Sequence, residues 1–390
     1  MNRRLRPAVA AFPLTIAASG FLYALCAFAI VFGLVSHQAR HNYLSDFGTF
    51  VLAARALDQG RDPYAFDSSL ISNIASYFDP DAVNLNAPFS LVLLAPLAQV
   101  EPFAAFDAWL LISVLLYAGS VTALIRMHQQ YLTPRHLALA AGLVGFWFGL
   151  LMGQIYIAML AVVVLIRSLL ARNHDVLAGL SMGILIALKP QFAIWPALLF
   201  LADHKRAALS SLMSALFLGS LPLVLYGPNV YSQWLEAAAR KTTLDHPLNA
   251  SLFAATSRLD LPWLGIGISV LLLAALALWA WSYHPDPMAI SSAAIVAVIL
   301  VGPTGWLGTL VWTLPAFFVR RWPALFWLSA ALLLLPGRPV AVLTQAWPGF
   351  GFVYTLALLL LLVGVVRHFG PAQRQNTVGM SLERMSVRTH

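Results

Sequence analysis

Runs of apolar residues, each long enough or nearly long enough to cross a lipid bilayer, recur along most of this 390-residue chain. A spanning helix needs about 20 predominantly apolar residues, because the hydrocarbon core of a bilayer is about 30 Å thick. Only 10% of the residues are charged, whereas soluble domains carry about 25%. The chain therefore has too little charge to cover a water-facing surface, and the sequence predicts a polytopic membrane protein.

The apolar segments predict an all-α bundle of about 12 transmembrane segments. The first is too long for the apolar region of a cleaved signal peptide, roughly 7–15 residues, so we expect it to remain as a helix. A break at "LKPQ" separates the fifth segment from the sixth; the alternative is a kink within one long helix. The segments are residues 11–35, 102–126, 136–151, 154–171, 176–188, 190–202, 205–226, 263–283, 287–302, 305–319, 322–336 and 345–367.

The distribution of charge orients these segments. If the N-terminus is cytoplasmic, most of the 23 lysines and arginines fall on the cytoplasmic side and most of the 15 acids on the other. This is the positive-inside pattern of membrane proteins. It predicts a multi-pass protein of a bacterial-type inner or plasma membrane, with both termini in the cytoplasm.

A single transmembrane domain is predicted over residues 1–369, followed by a polar cytoplasmic tail, 370–390, that we expect to be disordered. Two long non-cytoplasmic loops, 36–101 and 227–262, are predicted to form the functional site. Residues 86–100 are apolar for only about 12 residues between helix-breaking signals. They are too short to span and predict a re-entrant or interfacial segment.

The segment "FGTFVLAARALDQG" in the first loop has the spacing of an amphipathic helix. Phe47, Phe50, Val51, Ala54 and Leu57 recur at intervals of three and four residues, which places them on one helical face. We predict an interfacial helix here.

Several classes of function are disfavoured by the sequence. The basic residues are scattered in short loops and form no stripe, so nucleic acid is not an expected partner. The single cysteine, Cys26, permits no intrachain disulfide. His37 and His41 are spaced four residues apart but lack an HExxH pattern, so neither a metal site nor a cofactor is predicted.

Polar residues beside apolar segments collect on the non-cytoplasmic side of the predicted topology. Because they come from six separate parts of the chain, their coincidence predicts one extracytoplasmic cavity lined by several loops. The six parts are Asp46, "GRDPY" (60–64), "GQIY" (153–156), "KPQF" (189–192), "LNAS" (248–251) with Arg258, and "GPTGW" (302–306).

Asp46 and Lys189 carry the sharpest chemical predictions. Asp46 is a candidate general base that takes a proton from a hydroxyl nucleophile; the alternative is a solvated interfacial acid, paired with Arg40 or Arg55. Lys189 lies in an apolar stretch, where an ammonium is costly unless it meets an anion or snorkels to water. It is a candidate phosphate-binding cation, and Pro190 breaks the helix beside it.

The remaining candidates are predicted to bind substrate. Arg258 can clamp a phosphate bidentately, or it is a solvated loop arginine. Gln154 can hydrogen-bond a sugar, cap a helix or bond a neighbouring helix. The other candidate substrate-binding residues are Arg61, Tyr64, Gln191, Asn249, Ser251 and Trp306.

Taken together, these segments resemble glycosyltransferase family 87, membrane enzymes of the GT-C class that use polyprenyl-phosphate sugars. The resemblance runs from about Asp46 to Trp306. The matching pieces, in chain order, are "SDFGTF…AARALDQGRDPY", "NAPFSLVLLAPLA", "GQIYIAMLAVVVL", "AGLSMGILIALKPQFAIWPALL", "NASLFAATSRL" and "GPTGW".

The resemblance implies a GT-C-type bundle with extracytoplasmic amphipathic helices. It implies a polyprenyl-phosphate donor that carries a hexose, often mannose, and a lipid or glycan acceptor in the membrane. Asp46 would deprotonate the acceptor hydroxyl, and the transfer would be inverting and independent of metal ions. Lys189 and Arg258 would hold the developing phosphate charge.

The chain departs from the family pattern in two places. The family typically has Tyr-Pro-Pro where this chain has Ala87 and Pro88 in "NAP". Many members also carry a histidine pair after the tryptophan of the "P-x-x-W" segment, whereas Gly308 and Thr309 stand here. The role of that pair is missing or supplied elsewhere, with His246 or His41 as candidates.

Two other classes of function remain open from the sequence. A lipid-linked-sugar flippase or transporter would have broken helices in corresponding halves of internal repeats, and we find one break and no repeat. An inactive relative that binds glycolipid is the other alternative, and the missing histidine pair is its main support.

Overall fold

The computed structural model describes residues 19–20, 22–33, 44–71, 84–240, 244–319 and 321–368. His37, His41 and the tail 370–390 lie outside these ranges. Within them all regular structure is helical, and the only strand-like pairing is a single bridge between Asn249 and Trp306. The predicted all-α class is confirmed for the described part of the chain.

The α-helices are numbered here in chain order. They are α1 (Leu22–Gly33), α2 (Ser45–Asp58), α3 (Phe89–Leu94), α4 (Pro102–Met127), α5 (Pro134–Gly142), α6 (Val144–Met152), α7 (Tyr156–Ala171), α8 (Asp175–Leu188), α9 (Ile194–Leu201), α10 (Lys205–Tyr226), α11 (Asn229–Arg240), α12 (Leu252–Ser257), α13 (Pro262–Tyr283), α14 (Pro287–Val301), α15 (Ala324–Leu333), α16 (Gly337–Ala346) and α17 (Val353–His368). Segments of 3₁₀ helix lie at Ser68–Ile71, Ala95–Gln99, Gln129–Tyr131, Pro190–Ala193, Leu307–Phe317 and Pro348–Phe352.

Five helices in the described ranges are long and apolar enough to cross a membrane, and six if the pair α15 and α16, bent by 89°, counts as one span. The expected number of about 12 is therefore not confirmed. Most of the other predicted segments are shorter apolar helices of 10–17 residues. Hydropathy alone cannot separate a short helix buried in protein from a spanning helix, because both are apolar. The five are Pro102–Met127, Pro134–Met152, Lys205–Tyr226, Pro262–Tyr283 and Pro348–Arg367.

The apolar helices differ in what covers their side chains. Phe217 and Val224 on α10 are 65% and 81% exposed, and Leu271 on α13 is 70% exposed. By contrast, every residue of α14 from Ala289 to Leu300 is buried. Apolar side chains exposed in this number are expected only where lipid replaces water. α10 and α13 therefore form the lipid-facing periphery, and α14 is a central helix.

The contact between α8 and α10 depends on small residues. A Cβ atom at Gly179 would lie 2.3 Å from the backbone oxygen of Ala207, and one at Gly183 would lie 2.3 Å from the Ser214 side chain. The Ser214 hydroxyl donates to the carbonyl of Leu180 at 2.9 Å. Glycines spaced four apart let two membrane helices approach closely, so this pair fixes α8 against α10.

The predicted break between residues 188 and 190 is confirmed. α8 ends at Leu188, Lys189 has an extended backbone (φ −144°, ψ 99°), and Pro190–Ala193 form a 3₁₀ turn before α9. Proline disfavours a helical backbone in the residue before it and lacks the N–H that would continue the helix. The side chain of Lys189 is thereby placed at a helix end inside the bundle.

The helix α2 is buried on more than one face, which the prediction of an interfacial helix did not anticipate. Phe47, Phe50 and Val51 are at most 1% exposed, and Leu52 and Ala53, which lie between the predicted positions, are also buried. The Phe47 ring packs edge-on against Phe106 of α4 at 5.2 Å between centroids. α2 is thus a structural part of the bundle, and it places its first turn, with Asp46, against the interior.

The 3₁₀ helix Leu307–Phe317 crosses the core, and all eleven of its residues are buried. Runs of 3₁₀ helix this long are uncommon. It packs so closely on α6 that a Cβ at Gly145 would lie 2.3 Å from the backbone nitrogen of Val311. Arg167 of α7, 2% exposed, donates to the Ser292 hydroxyl and to the Pro315 carbonyl and so ties α7 to α14 and to this 3₁₀ helix.

Candidate functional site

Lys189 lies in the interior with 6% of its surface exposed. Among the described residues its ammonium forms no ion pair and no hydrogen bond. Its contact there is with the face of the Tyr156 ring, 5.6 Å from the nitrogen to the ring centroid. An ammonium buried without a carboxylate is costly, so Lys189 stays a candidate for binding an anion.

Asp46 is half-buried in the first turn of α2. The carboxylate lies within electrostatic range of Tyr156, the tyrosine whose ring Lys189 contacts. The neighbouring Phe47 packs so closely on Gly153 that a Cβ at Gly153 would lie 2.8 Å from it. The structure therefore brings Asp46 and Lys189 to one tyrosine, although they are 143 positions apart in the sequence.

Tyr156 is a site residue that the list of candidates drawn from the sequence missed. The residue is 4% exposed, and its backbone carbonyl accepts a hydrogen bond from the Trp312 indole at 2.9 Å. Trp312 packs in turn on Phe192, with 5.0 Å between ring centroids. Tyr156 belongs to the polar segment "GQIY". An aromatic residue at the start of an apolar helix is common, however, so nothing in the sequence distinguishes it as a site residue.

Gly308 faces the same tyrosine. A Cβ at Gly308 would lie 2.4 Å and 2.8 Å from two carbons of the Tyr156 ring. No side chain fits at position 308 while that ring keeps its place. One of the two positions at which the resemblance led us to expect histidine is therefore occupied by the tyrosine ring.

The loop from Asn84 to Ala87 lies directly beside Lys189. The backbone nitrogen of Ala87 donates to the carbonyl of Leu188 at 3.1 Å. The Tyr64 hydroxyl, from the "GRDPY" turn, donates to the carbonyl of Asn86 at 3.1 Å. Burial raises the pKa of Tyr64, with smaller contributions from Tyr231 and Asp62, so the hydroxyl stays protonated. Tyr64 thus fixes a loop that borders the site.

Gln191 extends the site toward the "GPTGW" segment. The side chain of Gln191 is half-buried, and its amide nitrogen would lie 3.4 Å from a Cβ at Gly302. Gln154 is also half-buried, and its backbone nitrogen donates to the carbonyl of Gly149 in α6. Both glutamines flank the elements that carry Lys189 and Tyr156, and their expected contact with substrate stays a prediction.

Both atoms of the Asn249 side-chain amide are hydrogen-bonded within the protein. Its nitrogen donates to the carbonyls of Leu244 and Pro303 at 2.8 and 2.9 Å, and its oxygen accepts from the backbone nitrogens of Ser251 and Gly305. The Ser251 hydroxyl accepts from Ala254 and caps α12. These two candidates join the second loop to "GPTGW", and their side chains have little capacity left for a ligand.

Arg258 is bonded to backbone carbonyls on two loops. Its guanidinium donates to the carbonyls of His246 and Asn249 at 3.0 and 3.2 Å and to that of Gly351 at 2.7 Å. Burial lowers the pKa of Arg258 to about 10, while Asp245 acts in the opposite direction, so the group stays charged at neutral pH. The structure shows a clamp between protein segments at the position where the sequence predicted a phosphate clamp.

The contacts of Arg61 and Trp306 are with residues other than Lys189 and Tyr156. Arg61 is exposed and pairs with Asp67 at 2.6 Å; hydrogen bonds from Ser69 and Arg61 lower the pKa of Asp67. The half-buried Trp306 packs against the His246 ring at 5.6 Å between centroids. His246 is therefore beside "GPTGW".

The six predicted parts form one connected set of contacts. Asp46, Tyr156 and Lys189 make its centre, while Tyr64 and Gln191 border it through adjacent loops. Asn249, Ser251, Arg258 and Trp306 form the supporting layer behind "GPTGW". In the described ranges, no three side chains of the types His, Cys, Asp or Glu gather as a metal site would require.

An open cleft of about 540 Å³ lies elsewhere, between α16 and α17, and Trp347 and Phe350 are among the residues that line it. None of the predicted site residues lines this cleft. The cleft is therefore separate from the candidate site around Asp46, Tyr156 and Lys189.

The fold and the site define a multi-pass helical membrane protein with an acid and a buried lysine near one tyrosine. A family model described as glycosyltransferase family 87 matches residues 84–303, more than half of the chain, and the chain belongs to that family. No curated protein and no solved structure matches it. The family indicates a glycosyltransferase. The matched range contains Tyr156 and Lys189, while Asp46 lies before it.

Proposed function

We propose that this protein transfers a hexose, with mannose as the first candidate, from a polyprenyl-phosphate donor to a hydroxyl of a lipid or glycan acceptor. The transfer occurs on the non-cytoplasmic face, inverts the anomeric carbon and uses no metal ion. The termini are cytoplasmic, and the loops 36–101 and 227–262 surround the site. Membership of family 87 supports a glycosyltransferase; the donor, sugar and acceptor are proposed here.

The buried Lys189, without a carboxylate partner among the described residues, is the observation that carries this proposal. A lipid phosphate is an anion that reaches the interior of a membrane protein laterally, and it would supply the charge that Lys189 lacks. Asp46 lies near the same tyrosine, Tyr156, so a base is available for the acceptor hydroxyl. A phosphate leaving group and a hydroxyl nucleophile need these two groups together.

The proposed reaction is a single displacement. Asp46 takes the proton of the acceptor hydroxyl as the oxygen forms a bond to the anomeric carbon of the donor. The bond from that carbon to the phosphate oxygen breaks, and its electron pair stays on the polyprenyl phosphate. Lys189 stabilises the added negative charge, and Arg258 holds the surrounding loops in place.

The substitution Asp46→Asn tests this assignment. With polyprenyl-phosphate mannose and a panel of hydroxyl acceptors, we expect the purified variant to lose roughly 10²–10⁴-fold in transfer rate, because a general base supplies that factor. Binding of the donor should persist, since Lys189 is unchanged. Transfer of radiolabelled sugar measures the rate, and ligand-induced thermal stabilisation measures binding.

Asp58→Asn is the matched control, because Asp58 is an exposed carboxylate at the other end of the same helix. It should keep the wild-type rate. If Asp46→Asn also keeps that rate, Asp46 is not the base. If the wild-type protein binds no polyprenyl-phosphate sugar, the proposed donor is wrong. Movement of the intact lipid across vesicles without transfer would identify a transporter, and donor binding with neither transfer nor transport would identify an inactive relative.

A further inference from the structure

Two buried asparagines beside Lys189 keep hydrogen-bonding atoms without a partner. Asn84 and Asn86 are 3% and 5% exposed. The Asn84 side-chain oxygen accepts from the backbone nitrogen of Asn86 at 3.1 Å and from its side-chain nitrogen at 2.9 Å. The Asn84 Nδ2 and the Asn86 Oδ1 are buried and make no hydrogen bond. Buried amide atoms are nearly always paired, so these two call for an explanation.

The backbone N–H of Asn86 fixes the orientation of both side-chain amides, because it is always a donor. The backbone N–H of Asn86 must meet an acceptor, so Asn84 turns its oxygen toward it. Asn86 must then turn its nitrogen toward that same oxygen, because two oxygens would repel. The pair is therefore left with one free donor, Asn84 Nδ2, and one free acceptor, Asn86 Oδ1.

The backbone that carries the pair is held from three sides. Trp234 of α11 donates to the carbonyl of Leu85 at 3.2 Å, and Tyr64 donates to that of Asn86. Ala87 donates to Leu188, the residue before Lys189. The two amides consequently have a fixed position. Asn86 and Lys189 are each one residue from the hydrogen bond between Ala87 and Leu188.

Asn249 shows that this chain satisfies a buried asparagine when its role is structural. All of the partners of its amide lie within the protein, as described above. The contrast with Asn84 and Asn86 is informative because all three are buried asparagines in loops. A free donor and a free acceptor on adjacent amides match neighbouring hydroxyls of a sugar, since each hydroxyl both donates and accepts.

We propose that Asn84 and Asn86 form the subsite that recognises the sugar of the donor, Asn84 Nδ2 donating to one hydroxyl oxygen and Asn86 Oδ1 accepting from another hydroxyl. This proposal rests on the proposed function, because the sugar can reach the two asparagines only if the phosphate of the donor is bound at Lys189. Both atoms are covered by protein here, so neighbouring side chains move aside when the sugar binds.

Asn86→Leu with two lipids tests the subsite. The lipids are polyprenyl-phosphate mannose and polyprenyl phosphate without a sugar, and affinity is measured on the purified full chain by ligand-induced thermal stabilisation. We expect Asn86→Leu to weaken binding of the sugar-carrying lipid about tenfold, as expected for the loss of one hydrogen bond. Binding of the lipid without sugar should be unchanged. The KM for the donor should rise in parallel, while kcat changes less.

Lys189→Met is the comparison variant, and it should weaken the binding of both lipids. Asn86→Leu should leave the melting temperature of the unliganded protein equal or higher, because it removes a buried unpaired oxygen while Asn84 still accepts from the backbone. Equal weakening of both lipids, or unchanged binding of both, would overturn the subsite. If the wild-type protein binds neither lipid, the proposed function itself fails, which is a distinguishable result.

Discussion

Tyr156 lies near both charged groups of the site, Lys189 and Asp46. Its ring face lies against the Lys189 ammonium, and its hydroxyl is within electrostatic range of Asp46. Gly308 leaves the space that the ring fills. We infer that the tyrosine positions the base and the cation relative to each other, and that its ring and its hydroxyl contribute separately.

Tyr156→Phe separates these contributions. The ring, its contact with Lys189 and its packing over Gly308 remain, so we expect donor affinity and folding to be preserved. Loss of the hydroxyl should lower kcat about tenfold, because one hydrogen-bonding group beside Asp46 is removed. Steady-state kinetics check this, since the effect should appear in kcat with little change in KM.

Tyr354→Phe is the control for the loss of a tyrosine hydroxyl. Tyr354 is 1% exposed and donates to the carbonyl of Leu335, away from the site. Its loss should lower the melting temperature and leave kcat unchanged. If Tyr156→Phe behaves in the same way, Tyr156 is a packing residue only.

At the scale of elements, the backbone breaks were predictable and the packing of the helices was not. The break at Lys189 follows from the chemistry of Pro190, which acts on its immediate neighbour whatever the surroundings. The burial of α2 on several faces depends on elements that are distant in sequence, chiefly the 3₁₀ helix Ala95–Gln99 and α3, with α4 and α6. Its spacing of apolar residues identified one buried face, but it could not show whether protein, lipid or water covers the others.

The close contact between α6 and the 3₁₀ helix Leu307–Phe317 makes a prediction about stability. Gly145→Ala should destabilise the protein by about 1–3 kcal/mol, the usual result of overpacking, because the added methyl group meets the backbone at Val311. Gly119→Ala is the matched control, since nothing lies within 4 Å of a Cβ there. It should be neutral or stabilise α4 by about 0.5–1 kcal/mol.

Melting temperatures of the two variants in the same detergent measure this difference. If the two substitutions shift the temperature equally, the 3₁₀ helix does not pack on α6 as the structure has it. Transfer activity should fall with Gly145→Ala as well, because the same 3₁₀ helix carries Gly308 and Trp312, which contact Tyr156.

At the scale of the whole molecule, the sequence predicted which segments come together better than it predicted their roles. Charge and hydropathy placed six polar segments on one side, and the structure connects them through contacts. The roles of Asn249 and Arg258 were less accessible, because the partners of a polar side chain depend on loops that are distant in sequence. Asn84 and Tyr156 were missed as candidates for the same reason: neither is unusual until its neighbours are known.

The sidedness of the site is the remaining prediction for the whole molecule, and it can be tested with single cysteines. Cys26 is the only native cysteine, so Cys26→Ser provides a background without thiols. Gln59→Cys lies at the exposed end of α2, next to "GRDPY", and His174→Cys lies in the exposed turn before α8. A membrane-impermeant maleimide should label Gln59→Cys in intact cells and His174→Cys only after permeabilisation. The physical reason is the excess of lysine and arginine on the cytoplasmic side, which holds those loops inside during insertion. The reverse pattern would place Asp46 in the cytoplasm and would contradict a donor that is used on the outer face.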